Sequence, residues 1–287
     1  MQANPKYKNL DNSFWCYIRF IGDKLGYSKR NKIINYKKED VIDCLHNYDL
    51  DIDPTKLNLV MDYLSYRNDV LTNYIEPHLM DLDEAEQKFF KLKDQLTNSK
   101  HVFLSPQPMN KQKGDKKKLA FFTCAINLIT ENAINEFNDQ HNSNITCDYD
   151  PHNLTFITDD KNTKYLKDTY SRRFDGAIPS LNSPVSIWEI KEYYYTTTFG
   201  SRIADGVYET QLDGYEVKNT TGFKPIHNFL IDGYSTWWLK GKSYLCRIID
   251  TLNMGLVNEV IFGNEIYSVW PQRVKEFCEK QYQRSNN

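Results

Sequence analysis

The amino-acid sequence predicts an α/β (α+β) fold, in which a mainly helical N-terminal domain precedes a domain that mixes helices and strands. Three observations support this prediction. Apolar residues recur every three to four positions between about residues 13 and 95, which is the period of an amphipathic helix. A segment rich in proline, glycine and lysine follows. Beyond it, long helical patterns alternate with short β-prone runs, an order typical of α/β and α+β domains.

Composition excludes several classes of protein. The chain has 287 residues, of which 40% are hydrophobic and 26% are charged, and these values are typical of folded globular domains. No apolar run approaches the roughly 18 residues that a membrane span requires, and no apolar signal region follows Pro5. We therefore expect a cytoplasmic protein without membrane partners. The formal net charge of −2 restricts any nucleic-acid contact to local patches.

The first predicted domain, residues 1–105, is a candidate DNA-recognition domain. Residues 38–48 have helical spacing. A basic stretch just before them, which includes Lys29, Arg30 and Lys32, offers cations for phosphate groups. A solvated lysine-rich loop accounts for the same composition equally well.

A segment over residues 99–118 separates the two predicted domains. It contains Ser105-Pro106-Gln107-Pro108 and a run of lysines around Gly114. Such residues interrupt helices and bring few apolar anchors. The second domain is therefore expected over residues 119–287.

The second domain opens with a long helix, because apolar residues over 119–137 recur at helical steps. Three short runs of β-prone residues follow, separated by Asp, Asn, Pro and Gly. The predicted strands over these runs span 154–157, 173–178 and 185–195. The remaining predicted elements are a helix over 202–218, a strand over 224–231, a helix over 237–252, a short strand over 257–261 and a closing helix that starts at Pro271.

One acidic-x-lysine triplet, Glu189-Ile190-Lys191, lies in a run with the composition of a sheet interior. Side chains alternate along a strand, so Glu189 and Lys191 project from the same face. Opposite charges on one face of a central strand are costly unless they are paired, solvated or bound to a metal. The other four triplets of this type lie in predicted helices or charged loops.

The preceding predicted strand supplies a second carboxylate, Asp175. Two carboxylates beside one lysine form a hard oxygen site suited to Mg²⁺, for which Mn²⁺ is expected to substitute. An ion at such a site stabilises charge on a phosphodiester and lowers the pKa of an attacking water. The alternative is a structural salt bridge between Glu189 and Lys191 on an exposed edge strand.

Asp175, followed fourteen positions later by Glu189-x-Lys191, resembles the motif of the PD-(D/E)xK nuclease superfamily, which includes many type II restriction endonucleases. The resemblance implies a restriction-endonuclease-like core, with a central mixed sheet flanked by helices, over about residues 119–232. It also implies that Asp175, Glu189 and the carbonyl of Ile190 bind Mg²⁺, and that Lys191 acts on the attacking water. The leading proline of the motif is replaced by phenylalanine here.

The resemblance suggests two further catalytic residues. Gln211-Leu212-Asp213-Gly214-Tyr215 is similar to the Q-x-x-x-Y element that many members place on the helix after the active strand, which implicates Gln211. Glu131, on the opening helix, is suggested as a further acidic contributor to the metal shell. Core packing of Gln211 and a solvent-facing position of Glu131 are the alternatives.

Cations near the predicted site fit a DNA substrate. Arg172 and Arg173 lead into the strand of Asp175, and Ser201 and Arg202 start the helix after the catalytic strand, where backbone N–H groups favour phosphate. The sequence thus predicts a Mg²⁺-dependent, site-specific endonuclease of restriction type that acts on double-stranded DNA. A homodimer and a cognate DNA methyltransferase are the further partners that this function implies. The alternatives are a repair, recombination or antiviral nuclease without sequence specificity, and a DNA-binding module that has lost catalysis.

Overall fold

The first hundred residues are helical except for one short hairpin. The structure, a computed structural model, describes residues 1–8, 10–111, 118–159, 165–195 and 201–286, except for the side chains of residues 201 and 202. A π-helical turn connects α3 to α4. The elements are α1 (Asn12–Leu25), β1 (Ser28–Lys29), β2 (Lys32–Ile33), α2 (Lys38–His46), α3 (Pro54–Val70), α4 (Glu76–His78) and α5 (Leu82–Thr97).

The second half mixes helices and strands, which confirms the predicted class. Within the described ranges, no helix is both long and apolar enough to cross a membrane. The elements are α6 (Phe121–His141), β3 (Asp148–Tyr149), β4 (Phe156–Thr158), β5 (Leu166–Thr169), β6 (Gly176–Ile178), β7 (Ser186–Glu192), α7 (Ser201–Asn219), β8 (Ile226–Asp232), α8 (Tyr234–Trp237), α9 (Lys242–Asn253), β9 (Glu259–Phe262) and α10 (Trp270–Asn286).

A mixed sheet forms the centre of this half. In the part of the chain that the structure describes, it has five strands in the order β3-β6-β7-β8-β9. β3, β6 and β7 pair antiparallel, whereas β7, β8 and β9 pair parallel. Parallel neighbours require a long crossover, and α7 provides it between β7 and β8. The Glu189-Ile190-Lys191 triplet therefore lies on β7, the strand where the two pairing modes meet.

The first strand of this sheet differs from the prediction. We expected a strand over 154–157, but β4 pairs with β5 in a separate two-stranded sheet. The edge of the central sheet is formed instead by β3, where Asp148 lies opposite Ala177. A strand of two residues is too short to show an alternating pattern, so its sequence carries little signal of its role.

The two faces of β7 pack against different helices. Trp188 joins a core with α6 and α10, where it contacts Trp270 edge-on with ring centroids 5.3 Å apart. Ile187 packs on the opposite face, with Val217 of α7. Because side chains alternate along a strand, Glu189 and Lys191 share the face that α7 covers.

Packing also divides the chain differently from the predicted boundary between 105 and 119. α5 contributes Ala85 and Phe89 to the core that contains α6, and the rings of Phe89 and Phe121 lie 5.6 Å apart. α1, α2 and α3 form a separate cluster that includes Trp15 and Tyr63. The described residues therefore group α5 with the α/β half, because its apolar face has no partner among the first three helices.

A buried ion pair joins α3 to α9. Arg67 is fully buried, and its Nη1 lies 3.1 and 3.0 Å from the two carboxylate oxygens of Asp250. The hydroxyl of Tyr63 donates a further hydrogen bond of 2.6 Å to Asp250 Oδ1. A buried charge that loses its partner is strongly destabilising. This contact therefore ties the helical unit, which consists of α1, α2 and α3, to the α/β half.

Replacing Arg67 with methionine should lower the free energy of unfolding by about 3–5 kcal/mol, because Asp250 would remain as an uncompensated buried charge. Urea denaturation followed by circular dichroism measures the change. Lys6→Met is the matched control, since Lys6 and Asp62 form an exposed ion pair, and its cost should stay below about 1 kcal/mol. Equal losses in the two variants would contradict the role assigned to the buried pair.

Candidate active site

Pairing of β6 with β7 brings Asp175 next to the Glu189-x-Lys191 triplet. Gly176 lies opposite Trp188, and Asp175, one residue earlier, donates its N–H to the carbonyl of Trp188 over 2.9 Å. Its Oδ2 accepts the N–H of Ile190 over 2.6 Å. This bond holds the Asp175 carboxylate against β7.

A glycine after the aspartate is required by this packing. A Cβ atom at Gly176 would lie 2.0 Å from Cζ2 of Trp188, well inside van der Waals contact. The indole of Trp188 therefore occupies the space that any other side chain would need. The Asp-Gly pair allows the strand that carries Asp175 to approach β7 closely.

Lys191 lies between the carboxylates of Glu189 on its own strand and Glu209 on α7. Its ammonium forms a short ion pair with Glu189 Oε1, and its Nζ lies 3.4 Å from Oε2 of Glu209 on α7. The stem of Lys191 packs against Gly206, where a Cβ atom would be only 3.1 Å from its Cε. A larger residue at that position of α7 would push the lysine away from the carboxylates.

Arg172 is the second cation of the site. Its Nη2 lies 3.5 Å from Glu189 Oε1 and 3.0 Å from Glu209 Oε2, and its Nη1 lies 3.6 Å from Oδ2 of Asp213. We had expected Arg172 to contact DNA phosphate. In the structure its guanidinium is instead engaged by three carboxylates, because α7 presents acidic residues to it.

Burial and nearby negative charge make two carboxylates of the site, Asp175 and Asp213, costly to ionise. Burial, then the nearby Glu189 carboxylate, raises the pKa of Asp175 to about 7. Burial likewise raises the pKa of Asp213 to about 7, against the opposing effect of Arg172. Burial disfavours the ammonium of Lys191, but Glu189 and Asp175 outweigh that effect and raise its pKa. When all are ionised, the carboxylates of Asp175, Glu189, Glu209 and Asp213 exceed the two cations by two charges.

The donor set is compatible with a hard divalent cation. Glu189 is 3% exposed, and its Oε2 has no hydrogen-bond partner among the described residues. Within the same ranges, no group of three or more His, Cys, Asp or Glu side chains has the arrangement of a metal cage. Mg²⁺ needs no such cage, because it commonly binds one or two carboxylates and completes its shell with water and substrate phosphate. Asp175 and Glu189 supply that minimum.

A cleft of about 380 Å³ opens beside these residues. Asp175, Ile190 and Lys191 line it from the sheet, and Asp205 and Glu209 line it from α7. The segment between α5 and α6 forms another wall, which we call the arm (residues 104–111). The arm residues on this wall are Pro106, Pro108, Met109, Asn110 and Lys111.

Asp150, which follows β3, also lines the cleft. It forms an ion pair of 3.3 Å with Lys111 of the arm, and its charge adds to the rise in the pKa of Asp175. Asp150 is not among the site residues predicted from the sequence. The short β3 places it at the same end of the sheet.

Glu192, the last residue of β7, links this strand to α6. Its Oε2 accepts the N–H and the hydroxyl of Thr123 over 3.0 and 2.9 Å. Burial raises the pKa of Glu192 to about 7, and the bonds from Thr123 oppose that rise. This contact fixes the end of β7 at the N-terminal end of α6. Sequence reasoning missed it, because a lone acid at a strand end has no distinctive neighbours.

Gln211, one of the two further residues suggested for catalysis, lies away from the cleft. Gln211 donates from Nε2 to Thr251 Oγ1 over 2.9 Å, so it faces α9 and belongs to the packing between helices.

Glu209 and Asp213, which the sequence reasoning missed, occupy the face of α7 that meets the site. They are four residues apart and so share one helix face, and that spacing is the signal that could have found them.

Glu131 is the other residue that the structure does not bring to the site. Its two carboxylate oxygens accept the N–H groups of Leu104 and Ser105, both over 2.8 Å. Nearby on α6, Asn127 donates to the carbonyl of Pro106 over 2.7 Å. Glu131 therefore holds the arm on α6 and is not a ligand of the proposed metal shell.

The remaining cations expected at DNA lie in different environments. Arg173 is exposed, and Lys29, Arg30 and Lys32 are exposed on the hairpin of β1 and β2. α7 begins at Ser201 as the pattern indicates. The side chains of residues 201 and 202 lie outside the described part of the chain.

Replacing Glu131 with alanine should release the arm, because two backbone N–H groups lose an ionised acceptor. Hydrogen exchange measured by mass spectrometry should be faster by about tenfold or more over residues 104–108, given the 1.5–3 kcal/mol typical of hydrogen bonds to charged groups. Glu136→Ala is the control, since Glu136 lies on the same helix but pairs with Lys275. Unchanged protection of the arm in Glu131→Ala would refute this role.

Comparison with known proteins gives a family but no described activity. A family profile described as "Domain of unknown function (DUF7687)" matches residues 80–277. A second profile, "Domain of unknown function (DUF7690)", matches residues 1–74. Searches for similar curated proteins and for similar solved structures find no significant match. Because the first profile covers more than half of the chain, the protein belongs to the DUF7687 family.

Proposed function

We propose that this protein is a Mg²⁺-dependent DNA endonuclease that hydrolyses phosphodiester bonds in the cleft beside Asp175, Glu189 and Lys191. The observation that carries the proposal is that Asp175 and Lys191 line an open cleft, while Glu189, buried just behind them, pairs with Lys191 and adds its charge to that of Asp175. An exposed edge strand, the setting of the purely structural alternative, does not apply, because β7 has a partner on each side.

The arrangement of elements supports a restriction-endonuclease-like core. A helix, three strands that pair antiparallel in the central sheet, a second helix and a parallel strand follow in the order α6, β3, β6, β7, α7 and β8, and the separate β4–β5 sheet is inserted between β3 and β6. This order is similar to the common core of the PD-(D/E)xK superfamily. The triplet also lies on the third of these strands, where the superfamily carries its acidic-x-lysine motif.

Asp175, which lines the cleft, and Glu189, whose Oε2 has no hydrogen-bond partner among the described residues, would hold the metal ion. When bound, Mg²⁺ stabilises negative charge on the phosphodiester and lowers the pKa of the attacking water. The Ile190 N–H orients Asp175, and Lys191 and Arg172 orient Glu189. The protein thus preorganises both carboxylates before substrate arrives.

Lys191 is the residue that acts on the attacking water. Glu189 and Asp175 raise its pKa, so its charged form dominates at neutral pH. An ammonium donates hydrogen bonds and has no lone pair to accept a proton. Its role is therefore to orient the water and to neutralise charge on the phosphoryl oxygens.

Double-stranded DNA cut at a defined site is the form of this activity that we propose. The helical unit of α1–α3 provides a body distinct from the catalytic half, and its exposed cations Lys29, Arg30 and Lys32 suit contact with phosphate. A homodimer and a protective methyltransferase remain predictions of the same proposal.

Incubation with plasmid DNA and Mg²⁺, followed by run-off sequencing, tests the proposal directly. Cleavage should stop when EDTA removes the metal and return when Mg²⁺ or Mn²⁺ is added in excess. Discrete products would support site-specific cleavage, and a smear would indicate a nuclease without sequence specificity. Binding of DNA without cleavage in either metal would favour the non-catalytic module.

Replacing Lys191 with methionine should reduce cleavage by about 100-fold or more, the range typical of losing a group that acts on a transferring proton or developing charge. Affinity for the same duplex, measured in a gel-shift assay without metal, should change little. Methionine keeps much of the aliphatic stem that packs on Gly206.

Lys218→Met is the matched control for this experiment. Lys218 belongs to another acidic-x-lysine triplet, lies exposed near the end of α7, and is outside the cleft. Its loss should leave cleavage within twofold of the unmodified protein. Near-normal cleavage by Lys191→Met would exclude the proposed catalytic role.

A further inference from the structure

A second groove, separate from the catalytic cleft, lies between the helical unit and the α/β half. It has a volume of about 590 Å³. The hairpin of β1 and β2 forms one wall, the end of α3 and the π-helical turn form another, and the start of α9 closes it. The lining side chains are mostly amides and hydroxyls: Asn31, Asn35, Ser65, Asn68, Thr72 and Asn73.

Lys242, the first residue of α9, is the buried charge of this groove. It is 6% exposed, yet its Nζ contacts only neutral groups. Nζ donates to the carbonyl of Trp238 over 2.5 Å and to Asn31 Oδ1 over 3.2 Å, and it lies 4.0 Å from the centroid of the Trp238 ring. No carboxylate of the described residues lies within ion-pair distance of it.

A buried lysine without a counter-charge is unusual. Lysine is rarely buried in proteins unless it is paired, because taking an ammonium out of water is costly. Burial accordingly lowers the pKa of Lys242, against a weaker opposing effect of Glu76. An anion in the groove would remove this cost, since it would supply the missing charge beside the ammonium.

The surroundings of Lys242 favour an anion. α9 begins at Lys242 with no side-chain cap, and an uncapped helix N-terminus favours negative charge. The exposed cations Lys29, Arg30 and Lys32 lie on the adjoining hairpin. Asp69 is the one carboxylate in the groove lining, and Asn73 already donates to its Oδ1 over 2.6 Å.

The hairpin brings these groups together by an unusual backbone conformation. Arg30 and Asn31 have φ values of 49° and 61°, and two successive positive φ values are characteristic of a type I′ turn. This turn directs Asn31 to Lys242. The turn also sets the positions of Lys29 and Lys32, which flank it on β1 and β2, and Lys32 lines the groove.

We propose that this groove binds a phosphate group, with Lys242 as its buried anchor and the hairpin cations at its rim. The phosphate belongs either to a DNA backbone or to a free phosphate or mononucleotide. The site does not depend on the proposed catalytic chemistry, because none of its residues lines the catalytic cleft.

Titration of the isotope-labelled protein with inorganic phosphate at constant ionic strength, followed by NMR, tests the site. Side-chain amide signals of Asn31 and Asn68 should shift in a saturable way. Lys242→Gln should weaken phosphate binding by about tenfold or more, as expected when a charged hydrogen-bond donor is lost. Lys32→Gln is a second variant, which keeps the test possible if Lys242→Gln does not fold. Because Lys32 is exposed, this change spares the core, and it should weaken phosphate binding several-fold.

Lys240→Gln is the control, because Lys240 is an exposed neighbour outside the groove lining. Its phosphate affinity should stay within twofold of that of the unmodified protein. Equal losses of phosphate affinity in Lys240→Gln and Lys242→Gln, or no saturable shift, would overturn the proposal.

A parallel titration with duplex DNA distinguishes the two sources of phosphate. Weaker duplex binding by Lys242→Gln assigns the site to DNA backbone, and unchanged duplex binding assigns it to a free phosphate compound. Neither measurement requires cleavage, so the site can be confirmed even if the nuclease proposal fails.

Discussion

Antiparallel pairing of β6 with β7 determines where every charged group of the cleft lies. The pairing places Gly176 under the indole of Trp188, and that contact is possible only without a side chain on the glycine. Asp175 then meets the N–H of Ile190 and the neighbouring triplet. A shift of one residue in this register would turn Glu189 and Lys191 to the opposite face of the sheet, where α6 and α10 pack.

The same pairing creates an electrostatic cost that two nearby cations partly relieve. Asp175 and Glu189 are held close together, and α7 adds Glu209 and Asp213 to the same space. Two cations, Lys191 and Arg172, neutralise part of this charge. When all four carboxylates are ionised, negative charge remains, and a divalent cation would stabilise it, since a buried carboxylate is stable as an anion only when it is paired or coordinated.

Segments outside the sheet give the site its walls. The arm crosses from α5 to α6 and is held by Glu131 and Asn127 through bonds to its backbone. Such bonds fix the path of a segment regardless of its side chains. Its side chains are thereby free to form the cleft wall. The Arg67–Asp250 pair joins the helical unit to α9, whose first residue, Lys242, closes the groove that we propose binds phosphate.

The sequence by itself determined the features that depend on local periodicity: most helices, the strand of Glu189-x-Lys191, and the shared face of these two charges. The sequence also predicted that Asp175 lies close to this triplet, because a short connection makes neighbouring strands pair. Only the tertiary structure decided which face of α7 meets the sheet, so Gln211 turned out to contact α9 while Glu209 and Asp213 reached the site. The arm contact of Glu131, the ion pairs of Arg172 and the two-residue strand β3 were likewise beyond local pattern. Helical spacing states which residues share a face, but the partner of that face is set by contacts between residues far apart in the chain.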